Sequence, residues 1–249
     1  MSEKDDVKQR YDGFADSLIQ HTKNIKDYCT DVSPVMKYFR QRKIETALEL
    51  GGFKKGTRIL EVGSNVGQYT TLLAEKGFQM VGIDLSDKII DIARKIANMR
   101  GLGNIEYFTM DAEDLSAFKD DTFTGVVSFS TLRYVPDLKK ALKEIYRVTK
   151  PGGTVALDFP NKHCPWFSLL KNRFGVENHI HDHFYSAEEL ISLFKEAGFT
   201  DISTKKIMFT HYTFNSKFLN LYKALDWIGE NIIFIKEMAA IVFCKGVKR

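Results

Sequence analysis

The sequence predicts an α/β fold, a mostly parallel sheet with helices on both faces, and three observations predict it. Short apolar runs alternate with helical patterns across residues 58–159. The first run, Ile59-Leu60-Glu61-Val62, leads straight into a turn carrying Gly63 and Gly67 and then into a helix. The second and third runs close on Asp84 and Asp111, at the sheet edge where open α/β folds take their ligands.

Residues 1–50 show little β alternation and read as an N-terminal helical cap. Within it Pro34 opens a segment in which Val35, Tyr38, Phe39, Ile44 and Leu48 recur on one face, ending at Gly51-Gly52. The α/β part spans 51–249. Strands are predicted at 58–62, 79–83, 104–109, 125–129 and 153–159, with helices at 69–75, 88–99 and 138–148. Lys150-Pro151-Gly152-Gly153 reads as a turn before the fifth strand.

Residues 160–185 break the rhythm with prolines, aromatic residues and the spaced histidines His179, His181 and His183, which predicts a lid. Ser186 then caps a helix with acidic Glu188 and Glu189 in its first turn, and Gly198 stops it. Two last strands are expected at 201–209 and 239–245. Between them, 214–234 is an aromatic-rich amphipathic insertion and a second predicted lid. Its stripe of Phe218, Leu221, Leu225, Trp227 and Ile228, like Trp166, Phe167 and Phe174, is read first as core. An apolar acceptor pocket or a membrane surface are the alternatives.

The composition is that of an ordinary globular chain: 249 residues, 44% hydrophobic and 27% charged, with a formal charge of +4. Charge is spread without a long like-signed block, so nucleic-acid binding is not favoured. Lys37, Arg40, Arg42 and Lys43, and the tail Lys245, Lys248 and Arg249, read as solvated surfaces. Cys29, Cys164 and Cys244 are far apart, with neither metal spacing nor a disulfide framework, and suit a reducing cytoplasm. The first residues, Ser2-Glu3-Lys4-Asp5-Asp6, do not read as a signal peptide, and no apolar run is long enough to span a membrane.

The glycine turn alone is weak evidence for a nucleotide site, because many α/β proteins carry one for structural reasons. Asp84 lies about 20 residues beyond it, the spacing at which a carboxylate meets a ribose hydroxyl pair, and it can also cap the following helix. Asp111 can accept from an adenine amine while Ala112 offers a backbone N–H.

Five segments in this order resemble the class I S-adenosylmethionine-dependent methyltransferases, in the small-molecule branch that includes ubiquinone and menaquinone methyltransferase-like proteins. They are Leu60-Glu61-Val62-Gly63 through Gly67, Gly82-Ile83-Asp84-Leu85-Ser86, Asp111-Ala112-Glu113-Asp114-Leu115, Val126-Val127-Ser128 through Tyr134-Val135-Pro136-Asp137, and Leu142 through Arg147-Val148 to Lys150-Pro151-Gly152-Gly153. The resemblance implies a Rossmann-like methyltransferase domain that binds S-adenosyl-L-methionine and methylates an O, N or C atom of a small molecule. Such an acceptor would be aromatic, quinone-like or lipidic, and a noncatalytic regulatory protein with the same cofactor site is the alternative.

The family's cofactor roles fall on Gly63, Ser64 and Gly67 around the methionine part and ribose, Asp84 and Leu85 at the ribose and adenine, and Asp111 and Ala112 at the adenine. Ser128 falls beside the sulfonium, Tyr11 resembles an aromatic that closes over the cofactor, and Glu61 and Asn65 complete the set. Asn65 stands where the family has glycine, a change that a residue at ease with positive φ tolerates. Thr124 stands where an aspartate commonly opens the fourth strand. His163, His179 and Tyr134 are candidate catalytic residues, with His181, His183 and Asp158 as further bases, and no metal is expected at the histidines.

Overall fold

The structure is a computed structural model that describes residues 2–21, 32–165, 181–211 and 213–249. Seven strands form one sheet in the order β3-β2-β1-β4-β5-β7-β6. They are β1 (Arg58–Val62), β2 (Gln79–Asp84), β3 (Ile105–Thr109), β4 (Phe123–Ser128), β5 (Thr149–Pro160), β6 (Thr200–Ile207) and β7 (Ile241–Val247). β1 to β5 pair in parallel, and β7 runs antiparallel between β5 and β6. The helices are α1 (Glu3–His21), α2 (Pro34–Gly51), α3 (Gln68–Glu75), α4 (Asp87–Met99), α5 (Leu138–Val148), α6 (Ala187–Ala197) and α7 (Leu219–Asn231). This is the Rossmann-like class I arrangement that the motif order implies.

Alternate residues of the parallel strands feed two cores, as the period of two requires. Leu60, Val62, Val81, Ile83, Val126 and Leu157 face α5 and α6, while Ile59, Met80, Val127 and Ala156 face α2 and α3. α1 packs on α4 through Ala15 and Leu18 against Ile89, Ile92 and Ile96. Helix ends follow local chemistry. Ser33, Ser86, Asp137 and Ser186 accept from backbone N–H groups of their first turns, Ser186 and Glu189 form a reciprocal capping box, and Gly198 ends α6 in the left-handed region.

Two local expectations change. Lys150-Pro151-Gly152-Gly153 lies inside β5 rather than in a turn before it, because Thr149 pairs with Phe123 and Thr154 with Gly125, so the glycines form a bulge in a continuous strand. The 214–234 insertion buries little of its apolar stripe, with Phe218, Leu221, Leu225, Trp227 and Ile228 all exposed. α7 instead packs through Asp226 and Gly229. Trp166, Phe167, Phe174, His179 and most of the first predicted lid lie outside the described residues.

Candidate active site

The loop between β1 and α3 reverses direction at the carboxyl edge of the sheet. Gly63, Asn65 and Gly67 have φ of 76°, 49° and 84°, so Asn65 adopts the left-handed backbone otherwise left to glycine. A Cβ on Gly63 would come within 2.0 Å of Thr131, and one on Gly67 within 2.2 Å of the Tyr107 hydroxyl. The N–H groups of Gly63 and Ser64 both donate to the carbonyl of Ile83 at 2.8 Å, tying this loop to the end of β2.

Asp84 ends β2 and takes backbone hydrogen bonds from Asn65 (3.0 Å) and Ser86 (3.2 Å). Burial nevertheless raises its pKa to about 6, because these two backbone donors only partly replace lost water. A carboxylate has about four acceptor sites, so room remains for two hydroxyl donors. Asp111 accepts from the Glu113 N–H at 2.9 Å and pairs with Lys4 Nζ at 2.7 Å.

Tyr11, Gly63, Asn65, Asp84, Leu85, Asp111, Ala112 and Tyr134 border one crevice. Its outer wall is α1, which contributes Lys4, Val7, Lys8 and Tyr11. α1 is fastened by Lys4 to Asp111 and Glu113, by Lys8 to Asp87, and by Asp12, which accepts from Ser86 Oγ. His181 sits 3.2 Å from Asp6 of α1, and Asp182 holds Arg133 through a two-pronged ion pair.

Four of the sequence candidates stand behind this wall. Ser64 faces a neighbouring cavity, Gly67 caps α3, and Ser128 is sealed with its hydroxyl donating to Val62 O at 2.8 Å. Glu61 is fully buried; its Oε2 accepts from Thr70 at 2.5 Å and its Oε1 has no hydrogen-bond partner. Burial raises its pKa to about 8, so it is protonated near neutral pH. Among the catalytic candidates, Tyr134 borders the crevice with its ring edge-on to Tyr11, whereas His163 is exposed and borders neither cavity. Among the described residues no cluster of His, Cys, Asp or Glu is arranged for a metal ion.

A second cavity of about 370 Å³ adjoins the crevice and shares Tyr11, Gly63, Asn65, Thr131 and Tyr134 with it. Phe39, Tyr69, Phe129 and Phe159 give it an apolar wall, with the Tyr69 and Phe129 rings stacked at 4.2 Å. Lys43 and Asp158 border it and are each only 1% exposed, with Nζ 2.7 Å from Oδ2. Lys43 donates to Ser130 Oγ at 2.5 Å, and the Ser130 N–H donates to Asp158 Oδ1. The ion pair is close but off the hydrogen-bond direction, which leaves Asp158 Oδ2 without a directed donor. Burial lowers the pKa of Lys43, and the charge of Asp158 opposes that shift.

Lys43 and Arg40, expected on a solvated helix face, are both buried against this cavity. The available signal was that Lys43 falls in the row Val35, Phe39, Lys43, Ala47 at four-residue spacing, a row otherwise apolar or aromatic.

Comparison with known proteins now assigns the family. The model of a methyltransferase domain matches residues 36–204. The chain belongs to this methyltransferase family. A demethylmenaquinone methyltransferase of Geobacillus kaustophilus is 31% identical over 181 residues, spanning 63% of this chain and 76% of the relative. A ubiquinone/menaquinone biosynthesis C-methyltransferase of Haemophilus ducreyi is also 31% identical over 181 residues, spanning 63% and 69%. The solved S-adenosylmethionine-dependent methyltransferase of Thermotoga maritima superposes with a TM-score of 0.62 at 19% identity, covering 86% of this chain and 91% of that one. The protein is an S-adenosylmethionine-dependent methyltransferase of the class I, small-molecule kind. Among the described residues no helix of this methyltransferase is long and apolar enough to cross a membrane.

Proposed function

We propose that this methyltransferase methylates a hydroxylated aromatic ring, of the hydroquinone kind, held in the second cavity. The observation that carries the reading is the shared wall: an aromatic-lined cavity, with a buried Lys–Asp pair at its side, opens beside the crevice of Asp84 and Asp111. The relatives' names, which include menaquinone, ubiquinone and hydroquinone methyltransferases, point the same way.

The crevice fits S-adenosylmethionine by the chemistry of its donors. Asp84 would accept from the ribose hydroxyls, Asp111 and the Ala112 N–H would meet the adenine, Leu85 would pack on that ring, and Tyr11 would cover it. Gly63, Ser64 and Asn65 would meet the methionine part, while Glu61, Gly67 and Ser128 hold their loop from behind. When bound, the cofactor supplies an electrophilic methyl group on a sulfonium.

The chain's own residues then have two tasks. Phe39, Tyr69, Phe129 and Phe159 exclude water and fix the plane of an aromatic acceptor, which supplies alignment. Asp158 Oδ2 would take the acceptor's hydroxyl proton, and the Lys43 ammonium would favour the oxyanion left behind, which is nucleophilic at oxygen or at the adjacent carbon; attack from carbon ends with loss of the ring hydrogen as a proton to solvent, restoring the aromatic ring. The widely separated cysteines favour a cytoplasmic place for this chemistry.

The test is methyl transfer from labelled S-adenosylmethionine to a panel of hydroquinones, their di-O-methyl ethers, amines and thiols. Product with the free hydroquinones and none with the blocked ethers is expected. Methylation only of amines or thiols overturns the acceptor class, and tight S-adenosylhomocysteine binding with no product anywhere favours a noncatalytic regulator.

A further inference from the structure

α7 is amphipathic in the reverse sense. Its inward face is polar: the buried Asp226 accepts from Tyr38 Oη (2.9 Å), the Phe209 N–H (2.7 Å), and the Thr210 N–H (3.1 Å) and hydroxyl (2.8 Å). Glu230 pairs with Arg42 and accepts from the Met208 N–H. Its outward face carries Phe218, Leu221, Leu225, Ile228 and Ile232 at alternating spacings of three and four, all exposed. The stripe continues into a tip where Phe234 is 85% exposed, and Trp227 beside it is 69% exposed.

A contiguous apolar surface of this kind on a folded chain marks an interaction site. The charges around it are one-sided. Each acidic group of the segment is consumed within the molecule, Asp226 by its four donors, Glu230 by Arg42 and Glu237 by Lys206. Among the described residues Lys217 and Lys236, which flank the stripe in the sequence, have no carboxylate partner, whereas Lys223 turns to the inner side of the helix over the Tyr38 ring at 5.7 Å.

We infer that the α7 face and the 232–235 tip dock on an anionic lipid bilayer, with the apolar stripe at the acyl boundary and Lys217 and Lys236 among the headgroups. A second copy of the chain fits worse, because a symmetric contact would bring these uncompensated lysines against their like. The inference stands on this surface and not on the acceptor proposed above. It nonetheless bears on it, since Thr210 and His211, which border the second cavity, lie just before the segment.

The experiment is co-sedimentation of the intact chain with vesicles of phosphatidylcholine alone or with about one third phosphatidylglycerol. Binding to the anionic vesicles at least about tenfold stronger than to the neutral ones, and its release by salt, are expected. Trp227 emission should shift to the blue on binding, and a Trp227→Phe variant should lose that shift. The double change Leu225→Glu, Ile228→Glu should abolish sedimentation while leaving S-adenosylhomocysteine binding by calorimetry unchanged, which separates docking from the cofactor site. The inference is overturned if protein that binds S-adenosylhomocysteine stays in the supernatant at low salt, or if the double variant still sediments. A concentration-dependent dimer that the double variant abolishes overturns it equally, by naming a second copy as the occupant.

Discussion

The Lys43 ammonium and the Asp158 carboxylate lie 2.7 Å apart at the side of the aromatic cavity, each almost wholly sealed from water. Breaking a buried pair by removing one member leaves an uncompensated charge, which typically costs about 3–5 kcal/mol, whereas replacing both by apolar residues is often neutral. Lys43→Met is therefore expected to lower stability by about that amount in chemical denaturation. The double variant Lys43→Met, Asp158→Leu should recover most of it. Methyl transfer should stay absent in the double variant although S-adenosylhomocysteine still binds. Full activity there would remove the pair from the mechanism.

Asp84 makes cofactor affinity depend on pH. Its carboxyl ionises at about 6 in the folded chain, raised by burial. As an ionised group it accepts from the ribose hydroxyls with its full charge, and once protonated it loses that charge and turns one oxygen into a donor. Calorimetry should show S-adenosylhomocysteine binding weakening as the pH falls through about 6. Asp84→Asn should bind about ten- to a hundredfold more weakly at pH 7.5 and lose that pH dependence. Equal affinity at all pH values would take Asp84 out of the site.

Glu61 acts on folding with a definite sign. Its folded pKa is raised to about 8 by burial, above its value in the unfolded chain. Its contribution is thus complete at acid pH and is lost as the pH rises toward about 8, at about 1.4 kcal/mol per unit. Glu61→Gln can keep the Thr70 hydrogen bond without an ionisable proton. Denaturation midpoints between pH 6.5 and about 8 should fall more steeply for the parent chain than for the variant; parallel curves would contradict the assignment.

Gly63→Ala tests the close approach of the loop. It forces an L side chain to φ of 76° and drives a Cβ to 2.0 Å from Thr131. The backbone strain alone costs about 1–2 kcal/mol. A lower melting temperature and cofactor affinity reduced at least about tenfold are expected, the strain being felt where the ligand lies. Unchanged binding would place the ligand away from this loop.

Much of this fold was legible because its signals are local. The runs 58–62 and 138–148 coincide with β1 and α5, and Ser186 and Gly198 bracket α6 as their side-chain and backbone chemistry demands. Asp84 and Asp111 reach one crevice because each closes a strand at the same sheet edge. What stayed hidden depends on partners distant in sequence. Lys43 resembles a surface lysine until β5 brings Asp158 to it, and Lys4 gives no sign that α1 will seat it on Asp111. The α7 stripe misled in the other direction, because amphipathic spacing reveals that a helix has an apolar face but not that Asp226 will turn the polar one inward.

The reversed seventh strand has a practical outcome. β7 starts beside Pro160 at the ligand edge and ends beside Thr154, where Lys248 exchanges backbone hydrogen bonds with Gly152 and Gly153. A fluorophore or affinity handle attached after Arg249 would thus project from the far rim of the molecule, clear of both cavities. One attached ahead of α1 would crowd Lys4 at the crevice mouth. Labelling beside Arg249 is accordingly the arrangement in which ligand and vesicle titrations report on the protein rather than on its tag.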